Sequence, residues 1–286
     1  MTFISYAQNL EDVILWRVLK HIDSGYYIDI GAAWPNEHSI TKAFYDHGWK
    51  GINVEPNPVF FHQLEESRPH DQNLCLAVSD SEGSSVMNFL EGTGLSTLDD
   101  AIAEKHQKDG WNLERHEVQV TSLKSLWHQY VPVGQEVHFL KVDVEGLEKA
   151  VLQGNDWITN RPWIVVVEST LPMSQVESFE TWEPILLTSN YLFAYADGLN
   201  RFYLAHERSE LLPAFKYPPN VFDEYTTCSN EMADARVAEA KARAAEAEAR
   251  FQQDEIKLDV IHRSRSWRIT APLRAVLSFI RKYGKH

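Results

Sequence analysis

Only two cysteines, Cys75 and Cys228, occur in 286 residues. Two thiols cannot build a disulfide framework. Cys75 also falls in an apolar run that reads as a buried strand, so a reducing compartment is expected. No G-x-G-x-x-G is present, which argues against a pyrophosphate seat and against a nicotinamide-dependent oxidoreductase. The twelve histidines show no H-x-x-x-H or comparable spacing, so no metal site is predicted from them; a divalent cation would have to rest on carboxylates. Basic residues are scarce, 27 against 41 acidic ones, and the net charge of -14 excludes non-specific nucleic-acid binding by the whole molecule. No apolar run reaches membrane-spanning length. Met1-Thr2-Phe3-Ile4-Ser5 lacks the basic region and apolar core of a signal peptide, so a cytoplasmic protein is expected.

What is present organises around Tyr26-Tyr27-Ile28-Asp29-Ile30-Gly31-Ala32-Ala33. Aromatic and β-branched residues make Tyr26 to Ile30 a buried strand; a glycine turn follows, then a helix expected from Glu37 or His38. The glycine permits close approach of a ligand to the backbone. A turn of only Gly31, Ala32 and Ala33 suits a ligand without phosphate, such as S-adenosylmethionine, with Asp29 at the strand end facing the same edge. About 20 residues further on, Gly51 to Pro56 ends a second apolar run in Glu55, a carboxylate placed to accept two ribose hydroxyls. Its structural alternative is capping the helix after Asn57-Pro58. Leu74 to Ser79 is a third apolar run, closed by Asp80, either an acceptor for an adenine amino group or an ordinary turn acid before Gly83.

The remaining pattern alternates strands with helices. Helices are expected over residues 8 to 20, 38 to 47, after Glu55, over Leu123 to Trp127, and over Gly146 to Leu152. Gln8, Glu11 and Asp12 either face a cofactor or satisfy the start of the first helix. Short strands are expected at Met87 to Leu90 and Val118 to Val120, and buried ones at His138 to Val144 and Ile164 to Val167. Leu192 to Tyr195 and Arg201 to Leu204 flank a turn, Asp197-Gly198-Leu199-Asn200, that predicts a hairpin. The expectation is an α/β fold with a mostly parallel sheet covered on both faces and a terminal antiparallel hairpin. Gly92 to Thr97 is a hydroxyl-rich loop suited to substrate contacts, and His106 to Arg115 reads as a polar lid.

Several segments together resemble the FkbM-type family of S-adenosylmethionine-dependent methyltransferases found in bacterial polysaccharide and glycan gene sets. They are Tyr6 to Val13, Tyr27 to Ala32, Gly48 to Pro56, Gly94-Leu95-Ser96-Thr97, Lys141-Val142-Asp143-Val144-Glu145-Gly146 and Asp197 to Tyr203. They cover roughly residues 3 to 225. The resemblance implies a Rossmann-like class I methyltransferase fold. It implies S-adenosylmethionine as cofactor, held near Asp29, Gly31, Ala32, Glu55 and Asp80, and O-methylation of a sugar hydroxyl in a glycan or lipid-linked acceptor. Substrate contacts would fall at Gly94, Ser96, Thr97 and Asn200. A non-catalytic binding or scaffold protein working through its tail is the alternative from another class.

The chemistry is expected at Asp143, Glu145 and Glu168. Asp143 and Glu145 lie two apart and point the same way in an extended segment, and Glu168 ends the next strand. Such a group can bind a hydroxyl, act as a base or hold a divalent cation. A sugar hydroxyl is a poor nucleophile, so a base is expected to contribute roughly 10²–10⁴-fold. Asp143 is the first candidate; capping the following helix is its structural alternative. His38 reads as a helix-start or core residue.

Composition changes after Thr227, dividing the chain into 1–227, 228–262 and 263–286. The middle segment is rich in Ala, Glu, Arg and Lys. Val237, Ala240, Ala244, Ala247, Phe251, Asp254, Leu258 and Ile261 give it a heptad seam, mostly small and broken by Asp254, suited to a coiled coil or homo-oligomer, or else it is a lone solvated spacer helix. The last segment carries seven basic residues and no acidic one. From Pro272, Leu273, Val276, Leu277 and Ile280 share one helical face. That pattern predicts peripheral contact with an anionic membrane, with docking on the chain itself or on a partner as the alternatives.

Overall fold

The computed structural model describes residues 2–90, 96–97 (backbone only), 111–171 and 174–283. Two compact units form, Met1–Cys228 and Ser229–His286. The elements run in order β1 (Phe3–Ser5), α1 (Glu11–Leu19), β2 (Tyr26–Ile30), α2 (Lys42–Asp46), β3 (Lys50–Val54), α3 (Pro58–Ser67), β4 (Gln72–Leu74), β5 (Ala77–Ser79), β6 (Gly83–Leu90), β7 (Ser96–Thr97) and β8 (Leu113–Ser122). There follow α4 (Leu123–Tyr130), β9 (Phe139–Val142), α5 (Glu148–Gln153), β10 (Ile164–Glu168), α6 (Glu183–Thr188), β11 (Tyr191–Ala196), β12 (Asn200–Ala205), β13 (Tyr225–Thr227), α7 (Cys228–Arg263), α8 (Arg265–Ile269) and α9 (Ala271–Tyr283).

A seven-stranded sheet in the order β11-β12-β10-β9-β2-β3-β4 carries the first unit. β10, β9, β2, β3 and β4 are parallel; β12 runs antiparallel to both β10 and β11, so the hairpin expected at Asp197–Asn200 is the sheet's antiparallel end. Strict alternation along β2 explains why every one of its residues is buried. Ile28 and Ile30 face one apolar layer with Val54, Leu140 and Val142, while Tyr27 faces the other with Phe44 and Phe139. α3 starts where Asn57 accepts the Val59 amide at 2.9 Å and Pro58 takes a position that loses no backbone hydrogen bond. The helix cap is therefore Asn57, and Glu55 is released for another task.

Several local expectations change. The turn after Gly31 does not enter a helix at Glu37 or His38: His38 is left-handed at φ 53, and α2 starts only at Lys42. Buried Arg68 organises this stretch, donating to the Pro35 carbonyl, Ser39 Oγ and Thr41 Oγ1 at 2.6–3.0 Å. The run from Leu74 to Asp80 is not one strand. Its two ends pair into different sheets, and Cys75 between them is exposed rather than buried. β5 belongs to a four-stranded sheet, β5-β8-β6-β7, in which the short strands foreseen near 87 and 118 are long antiparallel partners. Leu113–Arg115 lie in β8 and not in a lid, Trp111 and Asn112 are exposed just ahead of it, and residues 106–110, with Gly94, lie outside the described residues.

In the second unit α7 is a continuous helix of 36 residues without a buried side chain. Its seam residues Val237, Phe251, Leu258 and Ile261 are 46–65% exposed.

Candidate active site

β2 and β9 are neighbours, yet the chain leaves β2 toward β3 and leaves β9 toward β10. Where the winding direction reverses, the helices diverge and a crevice opens beyond the carboxyl ends of the strands. A cavity of about 410 Å³ lies there. Its walls come from the turn after β2, Glu55, Lys141, the loop after β9 and Glu168. Apolar Pro56, Ala77, Val78 and Met87 close one side, the last three from the small sheet.

Gly31 joins the two central strands at this edge. Its φ is +79°, and a Cβ built on it would sit 1.8 Å from the Asp143 carbonyl oxygen. The glycine is thus required by the close approach of the β9 loop, beyond any service to a ligand. Its amide and that of Ala32 both donate to the Val54 carbonyl, at 2.9 and 3.1 Å. Ala32 itself is buried along the cavity.

Glu55 is buried, and its two oxygens accept the amides of Ala33 at 2.9 Å and Asn57 at 2.7 Å. Burial pushes its carboxyl up to about 7, against the pull of those two amides. Each oxygen keeps a second lone pair, so a pair of ligand hydroxyls can still be accepted.

Asp29 occupies a different place from the one expected. The alternation that turns Ile28 and Ile30 one way turns Asp29 the other, so it lies beneath the cavity and does not line it. It accepts from Thr41 Oγ1 at 2.9 Å and stands 3.3 Å from Lys141 Nζ, its register partner on β9. Lys141 Nζ also donates to the Gly31 carbonyl at 2.5 Å and lies 3.4 Å from Asp143. Burial opposes the ammonium charge, but Asp29 and then Asp143 outweigh it and hold its pKa above the ordinary lysine value. One buried cation therefore ties the β2 end to the β9 loop. Lysine and aspartate in two otherwise apolar strands were the available signal, because buried charges persist only when paired.

Asp143, Glu145 and Glu168 converge: carboxylate oxygens of the three lie within 4.8 Å of one another. That spacing suits a shared proton or one divalent cation. Burial first, and Asp143 second, raises both glutamates, Glu145 to about 8 and Glu168 higher still. Glu168 Oε2 is buried without a hydrogen-bond partner among the described residues. Asp143 does not cap the following helix, whose N-cap Leu147 makes no side-chain cap hydrogen bond; Glu148, at the helix start, accepts the Gly146 amide of the preceding turn at 3.0 Å. Left-handed backbone concentrates here, since Ala33, His38 and Glu145, all with φ near 50°, line the cavity.

Other expected residues lie elsewhere. Asp80 is exposed beyond β5, next to Gly154, because the break after Leu74 carries the chain into the small sheet. Asn200 is buried and donates to Glu11 Oε1 at 2.7 Å; Leu199 lines the cavity instead. Ser96 and Thr97 form β7, and their side chains lie outside the description. Of the early acids, Glu11 also takes the Asn9 amide and Asp12 takes Ser5 Oγ and the Tyr6 and Ala7 amides, so both serve the fold. Gln8 reaches the cavity. So do Trp34, Thr170 and His38, whose roles sequence reading missed or assigned to helix and core.

The buried acids carry a consequence for stability. Glu11 and Glu55 have folded pKa values near 8 and 7, above their unfolded value, so the folded state binds more protons. Their contribution is complete below the unfolded pKa and is lost as pH rises through the folded one. His138, lowered by burial, acts oppositely but only below about its unfolded pKa of 6.5. Between pH 6.5 and 9 the melting temperature is therefore expected to fall by several degrees, and Glu11→Gln is expected to flatten that slope. A melting temperature that rises across this window would contradict the assignment.

An open, largely parallel sheet with an acid-lined cavity at its switch point defines an α/β protein built to hold a small polar ligand against ionisable groups. The family follows from comparison: residues 29–195 match the methyltransferase FkbM domain, and the chain belongs to that family. The match runs from Asp29 to Tyr195 and so takes in Gly31, Glu55, Lys141 and the three carboxylates. The segments Tyr6–Val13 and Asp197–Tyr203 fall outside it. No curated protein matches the chain.

Proposed function

We propose that the first unit binds S-adenosylmethionine and directs methyl transfer to a hydroxyl of a sugar-like acceptor, in the synthesis of a bacterial glycan. The strand order, with its reversal between β2 and β9 and its antiparallel end, supports a Rossmann-like class I methyltransferase fold. The observation that carries the reading is one cavity lined both by Glu55 and by the three carboxylates. The residues fit the cofactor. Glu55 retains lone pairs for two ribose hydroxyls, and the Pro56, Ala77, Val78 and Met87 wall offers an apolar bed for a flat base. When bound, S-adenosylmethionine supplies an activated methyl group and needs no further activation by protein.

The chain's own task is the acceptor. With its pKa pushed above neutrality, Glu168 keeps a proton and donates it as a hydrogen bond. Asp143 is left to accept the proton that an acceptor hydroxyl loses as its oxygen bonds to carbon, and Glu145 joins it only as pH rises through about 8. Carboxyl groups pushed apart in this way divide acid and base roles. A glycan acceptor is favoured because a cluster of hydrogen-bonding carboxyls, with Thr170 and Gln8 nearby, matches a polyhydroxyl surface. A nicotinamide reading has no comparable support.

Calorimetric titration with S-adenosylmethionine tests the cofactor end. Glu55→Ala removes two charge-assisted hydrogen bonds and is expected to weaken binding at least about tenfold. The parent is expected to bind more tightly at pH 8 than at pH 6, since hydroxyl donors favour the ionised carboxylate and its pKa lies between. Unchanged affinity in the variant removes Glu55 from the site. No affinity in the parent leaves the scaffold alternative.

A further inference from the structure

α9 is 13 residues long, and none of its side chains is buried. Leu273, Val276, Leu277, Phe279, Ile280 and Tyr283 are 57–67% exposed. At 3.6 residues per turn these six span an arc of about 160°, and Arg274, Ser278, Arg281 and Lys282 fill the opposite sector. A helix this short is marginal in water on its own, and so wide an apolar face calls for a cover. Charge decides which. Seven of the chain's 27 basic residues follow His262, and none of its 41 acidic residues does. The helix before it is fastened to the same unit. Ser264 Oγ caps α8 by accepting the Trp267 amide at 3.2 Å. The Arg274 guanidinium lies 3.6 Å over the Trp267 ring and donates to the Trp267 carbonyl at 2.6 Å. An indole thus sits at the start of α9 against its cationic sector, where an amphipathic ring suits a water–hydrocarbon boundary.

We propose that α9, led by the α8 corner, lies flat in the surface of an anionic lipid membrane, with its apolar arc in the acyl boundary and its cations at the headgroups. No helix among the described residues is long and apolar enough to cross a membrane, so the contact lies on the surface. A second copy is the weaker occupant. A two-helix seam needs a narrower stripe than this arc, and pairing would set two cationic rows side by side.

The test uses the full chain and sedimentation with vesicles of phosphatidylglycerol mixed with phosphatidylcholine, against vesicles of phosphatidylcholine alone. The parent is expected to bind the anionic vesicles at low salt, to leave them as salt rises, and to bind the neutral ones far less. Each cation at such a surface multiplies partitioning about fivefold, so Arg281→Gln with Lys282→Gln is expected to weaken it about twenty-five-fold. Leu277→Ser with Ile280→Ser is expected to abolish it. Both variants change exposed side chains only and are expected to melt with the parent. Equal binding by parent and variants, equal binding to neutral vesicles, or no binding by the parent would overturn the proposal. A parent dimer that the apolar variant converts to monomer, without vesicle binding, would give the face to a second copy.

Discussion

Gly31→Ala is expected to cost the first unit at least about 3 kcal/mol, read as a melting temperature lower by roughly 10 °C. Two independent penalties meet at this residue. Alanine at φ +79° is strained in its own right, by about 1–2 kcal/mol. Its Cβ would then overlap the Asp143 carbonyl oxygen at 1.8 Å, and backbone, unlike a flexible side chain, cannot swing away. Relief requires β2 and the β9 loop to part. That would break the Asp143 amide bond to the Ile30 carbonyl and the Lys141 contact with Gly31. Cofactor affinity is expected to fall with stability, because the parting loops are the cavity wall. Thermal melting with and without S-adenosylmethionine checks both. A variant that melts with the parent but no longer binds cofactor would return Gly31 to a purely ligand-approach role.

Asp143→Asn is expected to lower turnover about a hundredfold while leaving cofactor affinity and melting temperature near those of the parent. The shape is kept, and the lost ion pair with Lys141 involves a side chain that is 35% exposed, so little stability is at stake. Glu145→Gln is expected to act in the same direction and to change the pH profile. With its carboxyl raised to about 8, the parent's turnover should climb as pH rises through that value, whereas the variant should lose the climb. Chelation separates the two chemical uses of the cluster. Turnover abolished by a chelator and restored by a divalent cation assigns the three carboxylates to a metal. Turnover indifferent to it leaves proton transfer. Normal turnover in Asp143→Asn would remove that residue from the reaction.

The parts of the site that were legible are those in which a strand delivers a residue directly to the sheet edge. Gly31, Glu55, Asp143 and Glu168 each end or follow a short apolar run, and period-two patterning with a polar stop locates such an end. What misled was the assumption that every acid at a strand end faces outward. Asp29 is one residue short of the end of β2, and alternation turns it beneath the sheet edge to Lys141. Asp80 follows a run that reads as continuous, but the chain changes sheets after Leu74. Nothing local in Cys75-Leu76 announces the break, because the choice of partner strand is made by β8, some 40 residues later in the chain.

By itself the sequence determined the alternation of strands and helices, the antiparallel end of the sheet, the change of composition after Thr227 and the amphipathic last helix. These rest on periodicity and composition, which are local properties of the chain. Only the tertiary structure decided which acids meet. Glu145 and Glu168 are 23 positions apart and converge because β9 and β10 are parallel neighbours. His38 and Trp34 reach the cavity because buried Arg68 holds the loop between β2 and α2 open, against its expected helix. Burial and mutual repulsion then set the carboxyl groups apart in acidity, and both depend on distances that exist only once the strands have paired.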